Sequence, residues 1–121
     1  MTTSLPHHPR VSSAGASRLA RSDLLIMERA RALIDDLGAD LDRRLLTERN
    51  PAERLRLLRE TTNRITRTAN DAVQAYVRGR RSVDARLERD GDAPEAATMR
   101  DRLRVARVEL LEAIERAKRR Y

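Results

Sequence analysis

Three long antiparallel helices, packed as a coiled-coil-like bundle, are what this sequence should form. Two punctuation marks and one periodicity carry that expectation. Asn50-Pro51-Ala52-Glu53 and Gly91-Asp92-Ala93-Pro94-Glu95 each read as the end of one helix and the capped start of the next. Around them, apolar residues recur three and four apart in an Arg-rich background, the spacing of one helix face.

Residues 1–16 are rich in Ser, Thr, Pro and His and have no period, so they read as a flexible arm ahead of a three-helix domain over 17–121. His7 and His8 stand together in that arm, but two adjacent histidines supply too few ligands for a metal site.

The first helix is expected over 17–49. Its face reads Leu19, Ile26, Ala30, Leu33, Leu37, Leu41 and Leu45, flanked by Leu25, Ile34 and Leu46. Gly38 lies inside it and marks a bend or a close helix crossing.

The second helix is expected over 51–90. Asn50 caps its free backbone N–H groups, Pro51 takes the first helical position, and Glu53 falls where a capping-box carboxylate reaches back. Its seam is Leu55, Leu58, Thr62, Ile65, Ala69, Ala72 and Tyr76, a heptad spacing. The seam thins after Val77, so 78–90 is the weakest helical stretch, with a kink expected at Gly79.

The third helix is expected over 93–120, stopped from the second by Gly91 and capped by Asp92. Its seam is Ala96, Met99, Leu103, Ala106, Leu110, Ala113 and Ala117. A second stripe adds Val105, Val108, Leu111 and Ile114, enough to meet two neighbours.

The unequal helix lengths leave the start of the second helix with one partner. Leu55, Leu57, Leu58 and the second stripe of the third helix would then stay partly exposed, and exposed apolar stripes mark interfaces. A homo-oligomer is therefore expected, with Leu55, Leu58, Ile65, Leu103, Leu110, Leu111 and Ile114 as interface residues.

The chain carries 26 basic residues against 19 acidic, a net charge of +7, and Lys118 is the one lysine. Such a balance favours nucleic acid, an anionic membrane surface or an acidic protein as partner. The preference for Arg over Lys also fits the codon bias of a GC-rich genome. Folded about the second turn, two basic groups approach each other. Arg78, Arg80 and Arg81 face Arg100, Arg102, Arg104 and Arg107, while Arg64 and Arg67 face Arg116, Lys118, Arg119 and Arg120. From these, Arg64, Arg67, Arg78, Arg80, Arg81, Arg100, Arg104, Arg107, Arg116, Lys118 and Arg119 are the candidate anion-binding residues, suited to the backbone of DNA or RNA. The competing reading makes them a solvated face of ion pairs on a scaffold or adaptor.

Catalytic constellations are scarce. There is no Cys, no glycine-rich phosphate loop, no nucleophile elbow and no histidine within the expected helices. No cofactor, metal or small-molecule substrate is expected. The longest wholly apolar run, Leu24 to Met27, is far short of a membrane span, and the N-terminus does not read as a signal peptide, so a cytoplasmic protein is expected.

The stretch from Ile34-Asp35 through Leu41-Asp42, Leu45-Leu46 and Arg49 is similar to the first helix of the helical chorismate mutases, whose intertwined dimers are also built of three helices. That resemblance implies a helical Lys and several Arg gathered on a dicarboxylate. Arg49 matches one arginine of the pattern, Lys118 stands at the tail, and no other position matches. Asn50-Pro51-Ala52-Glu53-Arg54 through Leu58 looks like the lead segment of small actinobacterial helix-turn-helix regulators, but the DNA-reading helices do not follow. Each resemblance covers a minority of the chain, and neither assigns a family.

Overall fold

The computed structural model describes the backbone of residues 4–91 and 93–120, and the side chains of residues 18, 20–91 and 93–120. The described chain is helical, without strands. α1 spans Ser4–Thr47, α2 Pro51–Asp90 and α3 Pro94–Arg119, and each helix packs against the other two. Among the described residues, no helix is long and apolar enough to cross a membrane.

α1 starts well ahead of Ser17, inside the segment read from sequence as an arm. Pro6 falls in its first turn, where a missing N–H has no helical partner to lose. His7 and His8 lie outside the described side chains. α1 stops at Thr47, two residues short of the expected end, and carbonyls at its close are satisfied from outside. Arg54, in the first turn of α2, donates Nη1 to the carbonyls of Leu45 at 2.6 Å and Glu48 at 2.7 Å.

The first turn is capped as expected at Asn50. Its Oδ1 accepts from the N–H of Ala52 at 2.9 Å and of Glu53 at 3.4 Å, and Pro51 follows directly. The capping box does not form. The Asn50 N–H donates instead to Glu48 Oε1 at 3.0 Å, and Glu53 Oε2 accepts from Arg56 Nε at 2.9 Å. A guanidinium one turn along is a stronger donor than a neutral amide. At the second turn, Gly91 adopts φ +67° and its N–H reaches the Leu87 carbonyl at 2.9 Å. α3 is preceded by Ala93, which makes no side-chain cap. The Asp92 cap lies outside the described residues. Glu95 faces Arg86 at 3.5 Å rather than reaching back.

The core falls into two clusters along the bundle. α3 buries the seam read from sequence, Ala96 through Ala117. On α2, Ile65 and Ala72 are buried, but Leu55 and Thr62 are exposed and Leu57 is buried, which corrects the expected start of the seam. The buried line continues through Ala75, Gly79 and Val83, so α2 is one helix to Asp90. The expected weakness at 78–90 came from counting large apolar residues, whereas this stretch packs small ones. A Cβ on Gly79 would lie 3.2 Å from Leu103 Cδ2 and 3.4 Å from Asp23 Cβ, so the glycine admits close approach by both neighbours. On α1 the buried line is Ala20, Leu24, Met27, Ala30, Ile34, Leu37 and Leu41. Ile26 and Leu33 are each 40% exposed, so the core uses a line beside the expected one.

Contacts between the helices pair α1 with α2 at opposite ends. Asp23 early in α1 meets Arg78 late in α2, whereas Leu45 late in α1 meets Arg54 early in α2. α1 and α3 advance together, through Arg31 with Glu109, Asp35 with Arg116, and Asp42 with Arg120.

Candidate anion-binding face

The positive charge resides on the second and third helices. Residues 51–90 hold ten basic and six acidic side chains, and residues 92–121 hold eight and six. The acids of α1 neutralise part of this excess. Asp23 Oδ1 lies 3.3 Å from Arg78 Nε. Both carboxylate oxygens of Asp35 accept from Arg116, at 3.0–3.3 Å. Those bonds hold the Arg116 guanidinium above the usual arginine range. Arg120 Nε lies 3.2 Å from Asp42, and its guanidinium passes over Gly38, where a side chain would collide with it. What lies over Gly38 is thus the end of a side chain and not a crossing helix.

Lys118 and Arg104 pair along α3, with Glu115 at 3.5 Å and Asp101 at 3.9 Å. Arg80 pairs along α2 with Asp84 at 3.7 Å. Among the described residues, Arg64, Arg67, Arg81, Arg100, Arg107 and Arg119 have no acidic partner within 4.0 Å, the distance that defines an ion pair.

The two basic groups expected from sequence do not assemble as whole groups. A helix turns about 100° per residue, so neighbouring arginines diverge. Arg78, Arg116 and Arg120 turn to α1. Arg102 lines the groove between α1 and α3, about 280 Å³, with Leu24, Met27 and Val105. Lys118 lines a second groove, about 310 Å³, between α2 and α3 with Thr62, Thr66, Asn70 and Ile114.

One element of the first group does come together. Arg80 from α2 and Arg107 from α3 both lie over the Tyr76 ring, their Cζ atoms 5.9 and 5.5 Å from its centroid. Arg80 Nη1 also donates to Tyr76 Oη at 3.1 Å. The Nε atoms of Arg80 and Arg100 are buried and have no hydrogen-bond partner. From sequence Tyr76 is expected in the seam, apart from these arginines. The available signal was Arg80, one turn beyond Tyr76 on the same helix face.

The expected interface residues divide. Ile65, Leu103 and Leu110 are buried in the chain's own core, so they do not form an outer surface. Leu58 and Ile114 are half-buried, and Leu55 and Leu111 are exposed. Arg49 and Lys118, the positions compared with the mutase pattern, are exposed. The chain matches no family model, no curated protein and no solved structure.

Proposed function

We propose that the protein is a non-catalytic interaction protein of the bacterial cytoplasm. Its three helices fold antiparallel about the two turns. It self-associates and presents arginines of α2 and α3 to the backbone of a nucleic acid. The observation that carries this reading is the division of charge. The acids of α1 pair with the arginines that face them, and α2 and α3 retain Arg64, Arg67, Arg81, Arg100, Arg107 and Arg119 without acidic partners among the described residues. Contacts of this kind go to phosphates and are largely blind to sequence.

Self-association is supported by apolar surface. Leu46 is 84% exposed and Leu55 48% exposed beside the first turn, and Val105, Val108 and Leu111 are exposed along α3. The test is binding of the full chain to random-sequence duplex DNA at low salt; no binding there refutes the nucleic-acid role. In that event the interhelical pairs Asp23–Arg78, Asp35–Arg116 and Asp42–Arg120 favour the second reading, a scaffold or adaptor whose arginines serve structure.

A further inference from the structure

We propose that Arg80, Arg100 and Arg107 form a seat for one phosphate oxyanion beside the Gly79–Leu103 contact of α2 with α3, where a nucleic-acid backbone is anchored. The inference rests on the nucleic-acid reading above and deepens it.

The close approach of Gly79 to Leu103 sets the register. Arg80 adjoins Gly79, and Arg100 and Arg107 stand about one turn to either side of Leu103. At 1.5 Å per residue their Cα atoms are roughly 10 Å apart along the axis, a gap that two arginine side chains can close on one phosphate. Arg107 already leans across to Tyr76 of α2, 5.5 Å from the ring centroid.

Three further observations point to an anion. First, among the described residues Arg100 and Arg107 have no acidic partner within 4.0 Å, and Arg80 reaches only Asp84, along its own helix, at 3.7 Å. Second, the Nε donors of Arg80 and Arg100 are withdrawn from water with no acceptor. A buried donor left unmade is unfavourable, and a phosphate oxygen would accept from it. Third, Tyr76 holds two of the guanidiniums in place before any ligand arrives. That lowers the ordering cost of binding.

The test uses the full-length protein in two arms. In the first, arginine side-chain Nε–Hε NMR signals are followed as inorganic phosphate replaces chloride at constant ionic strength. The signals of Arg80, Arg100 and Arg107 should move together, and those of the exposed Arg67 and Arg81 should not. In the second, random-sequence duplex DNA is titrated against Arg100→Gln with Arg107→Gln, and against Arg67→Gln with Arg81→Gln. The seat pair should lose roughly tenfold or more in affinity, with a salt slope shallower by about 1 per lost phosphate contact, and the outer pair should lose less. If the seat signals move but the duplex does not bind, the seat stands as a site for free phosphate and the nucleic-acid reading fails. If the duplex binds, no seat signal moves and the two pairs lose equally, the seat is overturned and the nucleic-acid reading survives.

Discussion

Gly79 and Gly38 are both buried glycines inside helices, yet a methyl group would act differently at each. At Gly79 it meets Leu103, which is fully buried and cannot retreat, with the Asp23 backbone-side carbon on another flank. Overpacking costs about 1–3 kcal/mol, more than the roughly 1 kcal/mol gained in helix propensity. At Gly38 it meets the flexible end of Arg120. Moving that end sacrifices a partly exposed ion pair worth about 1 kcal/mol at most. Thermal melts followed by circular dichroism should therefore show Gly79→Ala melting below the parent and Gly38→Ala at or above it. A Gly79→Ala protein as stable as the parent would contradict the close crossing. Sequence alone flags both glycines as unusual. It cannot separate them, because what each glycine faces belongs to another helix.

At the scale of elements, the first turn is the most legible part of the molecule. Asn50 and Pro51 act locally, and local chemistry survives folding. Asn50→Ala should cost about 1 kcal/mol, read as a lower urea midpoint with unchanged slope. The Glu53 carboxyl is held below the usual carboxylate range, first by its hydrogen bond from Arg56. A depressed folded value contributes stability that is present above the ordinary carboxylate range and lost as pH falls through the folded value. Glu53→Gln should thus narrow the stability gap between neutral and acidic pH relative to the parent. An identical pH profile would show that the pair contributes nothing. The α3 seam was also legible, since Ala96, Met99, Leu103, Ala106, Leu110, Ala113 and Ala117 keep an unbroken spacing of three and four. α1 was misread by a small rotation. Ile26 and Leu33 offer as much apolar area as Met27 and Ile34, and only packing against α2 and α3 decides which line goes inside. The later half of α2 was underestimated for a related reason, because Ala72, Ala75 and Gly79 carry little hydrophobic signal while allowing close packing.

At the scale of the whole molecule, the acids of α1 cancel one side of an arginine-rich helix pair. Composition announced the net charge, and the capped turns announced which helices would meet. Neither could say that Arg78, Arg116 and Arg120 would turn to α1 or that Arg80 and Arg107 would share Tyr76, since those outcomes depend on helix rotation. Self-association is expected through the exposed apolar residues near the first turn and along α3. Light scattering should give a mass above the 13.8 kDa of one chain. Leu55→Glu combined with Leu111→Glu should lower that mass while keeping helicity; a parent already at one chain's mass would contradict the self-association.

The central claim, that the arginine face takes a nucleic-acid backbone, is tested most directly by the salt dependence of binding to random-sequence duplex DNA. Between about 50 and 200 mM salt, log affinity should fall linearly with log salt, with a slope of about −0.9 per phosphate contacted. Absence of binding at the lower salt, or an affinity indifferent to salt, would contradict it.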